Sequence, residues 1–160
     1  MLTRWMRIGD SAAGVYGTLL TLSVLVGLSF KKSGAGVMAL TVVVSALVFW
    51  IAHVHAGLVA RWVRAERRPD RAAVVEVMAR EAPMVESAVP AVVLLVLAWI
   101  GILKTTTAVW IALIYGVVAL AVWGVLIARR AGLGRTGVAV VSGVNLGLGA
   151  LIVALKLLIH

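Results

Sequence analysis

The sequence predicts an all-α polytopic membrane protein. It has five transmembrane helices, the N-terminus inside, the C-terminus outside, and a short amphipathic cytoplasmic helix between spans two and three. Three observations carry this. Hydrophobic residues make up 63% of the 160-residue chain and charged ones 13%, with a mean hydropathy of +1.13; an ordinary soluble domain is roughly 25% charged. The apolar residues fall into five long runs rather than short periodic stretches. The basic residues are divided unequally between the two ends of those runs.

Crossing about 30 Å of hydrocarbon at about 1.5 Å per residue takes close to 20 residues. The first run covers residues 11–30, with Asp10 or Ser11 placed to N-cap it. It is too long for a signal-peptide core and no small-residue cleavage site follows, so the span is expected to stay in the protein. The others cover residues 36–60, 83–103, 106–128 and 136–160. All belong to one transmembrane domain over residues 1–160, and residues 61–82 form a helical insert on the cytoplasmic side. The remaining connections are short, which makes their flanking helices antiparallel neighbours.

Orientation follows from the Lys and Arg excess that cytoplasmic loops carry. All eleven arginines, from Arg4 to Arg135, fall at one end of the spans, and the four lysines, Lys31, Lys32, Lys104 and Lys156, at the other. The arginine end is the inside one, which makes this a multi-pass protein of the cell's inner (cytoplasmic) membrane. The net charge of +9 is a topology signal and an attraction to the anionic headgroups of the lipid bilayer. No nucleic-acid partner is implied, because the arginines are scattered over short segments without a folded basic module or a base-stacking platform. The absence of cysteine excludes disulfides and thiolate metal sites.

In the insert, Pro69 ends the helix leaving the second span, and Asp70 is placed to cap a new helix through Glu81. Val74, Val75, Val77 and Met78 alternate there with Glu76, Arg80 and Glu81, a pattern suited to the membrane surface. Five of the six acids, Glu66, Asp70, Glu76, Glu81 and Glu86, lie between residues 66 and 86. One reading has them balancing arginines and capping helices. The other makes Glu76, Glu81 and Glu86 oxygen ligands of a hard or borderline cation. With Pro83 in the first turn of the third span, Glu86 sits where the helix macrodipole favours a carboxylate. Pro90 frees the carbonyl of Glu86, so the backbone there is expected to be irregular.

The stretch FWIAHVHAGLVARWVR, residues 49–64, places His53 and His55 in the inner part of the second span. Tyr16, Asn145 and Glu86 reach a similar depth on other spans, which predicts a polar layer as a substrate or proton path. At 100° per residue the two imidazoles point about 200° apart, so they cannot share one ion. His53 lies on a stripe with Trp50, Gly57 and Ala60 and is expected to face the interior, with His55 pointing elsewhere. Each polar residue also has a plainer role: a backbone hydrogen bond for either histidine, interfacial anchoring for Tyr16, and helix–helix adhesion for Asn145. On the fifth span Asn145, Gly149, Ile152 and Lys156 share one face. Gly143, Gly147, Ala150 and Ala154 form an adjacent stripe of small residues suited to packing or dimer contact. Lys156 is expected to snorkel outward.

The segment VYGTLLTLSVLVGLSFKKSGAG, residues 15–36, is similar in layout to the first span of the vacuolar iron transporter (CCC-type) family. The five spans, the inside N-terminus and the helical insert also resemble that family. The resemblance implies a homodimer that exchanges a divalent metal ion, chiefly ferrous iron, for protons, the metal being substrate rather than cofactor. The chain departs from the pattern in three places. Tyr16 stands where the family has a metal-binding aspartate before Gly17, His53 and His55 stand where it has acidic and methionine ligands, and the insert is short and poor in glutamate.

Three functions follow in order. The first is proton-linked cation transport, with His53 or His55 as the proton-responsive group. The second is a non-transporting scaffold or assembly subunit of a larger complex. The third is an intramembrane enzyme on a lipid substrate, which no HExxH, DDxxD-like or Ser–His arrangement supports.

Overall fold

The computed structural model describes residues 8–30, 33–65 and 70–158, and no strand occurs among them. Long uncharged runs satisfy their backbone hydrogen bonds internally only as helices, and helices are what form. They are α1 (Ile8–Phe30), α2 (Ala35–Ala65), α3 (Arg71–Glu81), α4 (Pro83–Glu86), α5 (Val89–Trp99), α6 (Thr105–Arg130) and α7 (Arg135–Leu158). Four of these, α1, α2, α6 and α7, are long and apolar enough to cross a membrane. A fifth crossing is made if α3 to α5 count as one span, bent by 45° at Ser87–Ala88. The bundle thus has an arginine end and a lysine end.

Three boundaries differ from expectation. Asp10 and Ser11 lie inside α1 rather than at its cap, because no proline separates Ile8 from the apolar run. The third span is two helices rather than one. Pro90 cannot donate to the carbonyl of Glu86, and the chain turns through Ser87, whose Oγ donates to the Met84 carbonyl at 2.8 Å. That span also stops at Trp99 rather than at residue 103. Gly101, at φ +85°, lets the Ile102 N–H close back on the Leu97 carbonyl at 2.9 Å. Gly132, at φ +70°, ends α6 in the same way, and only glycine adopts this left-handed turn without strain.

The insert helix starts where expected. Asp70 accepts a hydrogen bond from the Ala73 N–H at 2.8 Å and caps α3; Pro69 lies outside the described residues. α3 lies along α2 instead of standing apart. Val77 is buried against Gly57, the Trp50 indole N–H donates to the Met78 carbonyl, and Arg61 reaches both the Ala73 carbonyl and Glu76. Asp70→Ala is expected to cost about 1 kcal/mol locally, seen as faster amide exchange at Ala73 and Val74 with the other helices unchanged.

The core lies between α1, α2, α5 and α6, where Leu22, Leu25, Met38, Leu95, Leu113 and Leu120 are fully buried. Lipid tails are as apolar as leucine, so close packing rather than water exclusion holds such helices together. Gly17 sets the α1–α4 approach: a Cβ there would run into the Met84 carbonyl and the Ser87 hydroxyl.

Candidate functional site

The residues expected along the substrate or proton path, Tyr16, His53, His55, Glu86 and Asn145, lie in four separate places. Tyr16 and His53 meet, their ring centroids 5.8 Å apart and tilted by 49°. The pair sits on the flank of the bundle, with Tyr16 61% exposed. The His53 Nδ1–H donates to the Phe49 carbonyl one turn back at 3.0 Å, which leaves Nε2 as the acceptor nitrogen. His55 is exposed on another face, as the 200° separation requires. Asn145 is buried at the α6–α7 contact, where it and Ser142 lie over Gly124. Of the carboxylates read as metal ligands, Glu76 pairs with Arg61 at 2.9 Å and Glu81 with Arg80 at 3.0 Å. Glu86 lies apart from both pairs. Among the described residues no three His, Asp or Glu side chains converge on one point.

Glu86 lines a cleft of about 150 Å³ at the arginine end, with Thr18, Ser87, Tyr115 and Trp123. Glu86 is exposed at the end of α4, just before the bend, and α1 and α6 supply the other walls of the cleft. Gly17 makes room by letting α1 touch α4, and Gly14 does the same where the Trp123 ring lies over it. Glu86 makes no ion pair among the described residues, which separates it from Glu76 and Glu81.

A second, larger cavity of about 510 Å³ opens at the lysine end, lined by Ser29, Ser33, Thr105, Thr106, Trp110 and Lys156 among others. The two cavities share one face of α1. Thr18, Leu22, Leu25 and Ser29 follow at intervals of four, three and four residues, which stacks them in a single line. Thr18 borders the Glu86 cleft and Ser29 the larger cavity, about 16 Å apart along the helix axis. Leu22 and Leu25 fill the interval, and Leu22 packs on Gly116 of α6. Thr18 satisfies its hydroxyl on the Gly14 carbonyl of its own helix at 2.8 Å. The seam between α1 and α6 therefore carries hydroxyl and charged side chains at both mouths, with leucines packed between them.

Lys156 does not snorkel outward. It is 5% exposed, with Nζ 4.6 Å from the centre of the Trp110 ring. The expected face of α7 explains this: Asn145, Gly149 and Lys156 are all buried and Ile152 packs on the core, so the lysine stem is carried inward toward α6. The ring's π-face replaces part of the lost hydration. Thr18, Tyr115, Trp123, Thr105, Thr106 and Trp110 are not among the residues the sequence singles out. The 4–3–4 spacing of Thr18, Leu22, Leu25 and Ser29 is the signal that finds the α1 part of the seam.

No family model matches the chain, and no curated protein or solved structure matches it either.

Proposed function

We propose that the chain is a proton-linked membrane transporter whose path is the seam between α1 and α6. The observation that carries this is the stacking of two cavities on one face of α1, each with polar side chains in its wall, with Leu22 and Leu25 between them. A pathway open at one mouth at a time needs such a plug, and Glu86 places at one mouth a carboxylate, the kind of group that proton relays in membrane proteins use. We place the arginine end in the cytoplasm of a cell whose inner membrane holds the protein, with five spans, the N-terminus inside and the C-terminus outside, on the basic-residue asymmetry.

The vacuolar iron transporter resemblance implies a divalent cation as cargo. Glu86 suits a cation, whereas the buried ammonium of Lys156 repels one at the far mouth and favours a solute carrying negative charge. The cargo we favour therefore bears an anionic group. A second copy of the chain is the partner we favour, on the stripe of α7 where Gly143 and Gly147 face open space.

The test is flux in liposomes across an imposed pH gradient, with divalent cations in one panel and small organic and inorganic anions in the other. Gradient-dependent uptake in the anion panel supports the reading. Uptake in neither panel, together with a stoichiometric partner on purification in mild detergent, favours the scaffold role instead. Because the native chain has no cysteine, orientation can be checked with a single Lys104→Cys or Arg130→Cys chain and a membrane-impermeant maleimide in intact cells. The Lys104→Cys chain is expected to label and the Arg130→Cys chain to stay unlabelled.

A further inference from the structure

We propose that the cavity at the lysine end is a binding site for a phosphate group, held by Lys156, Thr105, Thr106 and the first turn of α6. The inference deepens the transport reading by naming what the seam's second mouth holds, and equilibrium binding tests it apart from flux.

Charge balance is the first observation. Lys156 is almost wholly removed from solvent, at 5% exposure, and an ammonium so placed calls for a counter-charge. Among the described residues it makes no hydrogen bond or ion pair, only the contact with Trp110. The chain offers no side-chain carboxylate to supply one. No Asp or Glu occurs after Glu86 in the sequence, and Asp70, Glu76, Glu81 and Glu86 lie at the arginine end. Among the described residues nothing supplies the counter-charge, and an oxyanion seated in the cavity would.

Donors converge on the same space. Thr105 and Thr106 begin α6 and line the cavity. The span hydroxyls of Thr18, Thr21, Ser23 and Thr41 are all bonded back to carbonyls one turn earlier. Thr105 and Thr106 stand in the first turn of α6, and neither hydroxyl bonds back to a helix carbonyl among the described residues. Lys104, at the N-cap of α6, gives no side-chain cap, so the N–H groups of that first turn also lack a side-chain acceptor. An ammonium, two hydroxyls and a helix N-terminus form a donor set suited to an oxyanion with several acceptor oxygens.

Position and size narrow the class. Lys156 is 21 residues beyond Arg135, about 32 Å along α7, which puts it where one face of a roughly 30 Å hydrocarbon layer ends and lipid phosphates begin. The cavity, at about 510 Å³, falls within the roughly 300–1,000 Å³ range of small-molecule sites and has room for a phosphate with the group it is esterified to. The same chemistry is presented by a lipid headgroup and by a free phosphate.

Purified chain in an uncharged, phosphate-free detergent is titrated with inorganic phosphate in one arm and with short-chain phosphatidylglycerol in the other. Binding is read from phosphorus NMR line broadening. Saturable binding is expected in at least one arm, weakened about tenfold or more by Lys156→Met and kept within a few fold by Lys156→Arg. Binding of the lipid alone assigns the site to a headgroup, and binding of inorganic phosphate alone assigns it to a solute; either supports the proposal. Binding in neither arm, or Lys156→Met binding as well as the native chain, overturns it. If Lys156→Met does not fold, Thr105→Val/Thr106→Val takes its place, with weakened binding expected and unchanged binding overturning the site. In the native chain, flux without phosphate binding removes only the phosphate site, and phosphate binding without flux removes only the transport reading.

Discussion

A Gly17→Ala chain is expected to lose about 3 kcal/mol of bundle stability, at the upper end of what a methyl forced into a full space costs. The added Cβ would meet the Met84 backbone carbonyl and the Ser87 hydroxyl. A backbone oxygen cannot swing aside as a long side chain can, so either α1 or α4 has to move. Gly27→Ala on the same helix is the matched control, because nothing lies within 4 Å of where its Cβ would stand. Unfolding in mild detergent titrated with a denaturing one separates the two: a large drop for Gly17→Ala and none for Gly27→Ala. Equal stability of both chains would mean that the α1–α4 contact does not hold the bundle together. Since that contact shapes the Glu86 cleft, Gly17→Ala is also expected to lose flux along with stability.

The second large effect is on flux alone. Glu86→Gln keeps the volume and most of the hydrogen-bonding capacity of the side chain but removes its proton chemistry. Gradient-driven uptake is expected to fall on the order of 100-fold, the scale on which a positioned acid–base group acts. The melting temperature should stay within the error of the native chain, because Glu86 makes no ion pair among the described residues that the change would break. His53→Ala is the informative companion. His53 lies beside Tyr16 on the exposed flank, bonded to the Phe49 carbonyl of its own helix, and its removal is expected to leave most of the flux in place. Loss of flux in His53→Ala with flux intact in Glu86→Gln would move the path from the α1–α6 seam to the α1–α2 flank.

The spans are legible in the sequence because hydropathy over some 20 residues is a sum, and no single residue decides it. Their ends are less so. An N-cap needs a break in the helix before it, and Asp10 has the side chain for a cap without the break. Gly101 and Gly132 end α5 and α6 through a positive φ that many other glycines of the chain do not adopt. Composition does not tell these glycines apart.

The candidate site is legible in part for a geometric reason. Depth along a helix is read by counting residues, and by depth Tyr16, His53, Glu86 and Asn145 belong together. Azimuth depends on which helices are neighbours. Tyr16 and Thr18 are two residues apart on α1 and therefore face different partners, His53 for the first and the Glu86 cleft for the second. The inward face of α7 can be read from the 4–3–4 spacing of Asn145, Gly149, Ile152 and Lys156. The direction of the Lys156 amine cannot, because it is set by Trp110, 46 positions earlier in the chain on another helix.

Thiol accessibility along α1 tests the seam most directly, and the absence of native cysteine makes it clean. Single Thr18→Cys, Leu22→Cys, Leu25→Cys and Ser29→Cys chains are reconstituted in one orientation and exposed to a water-soluble thiol reagent from each side in turn. A seam with polar side chains at both mouths and leucines packed between them predicts reaction of the Thr18→Cys chain only from the arginine end and of the Ser29→Cys chain only from the lysine end. The Leu22→Cys and Leu25→Cys chains should stay protected at rest. Protection of all four chains from both sides, or reaction of the Thr18→Cys chain from the lysine end, would contradict a transport path between α1 and α6.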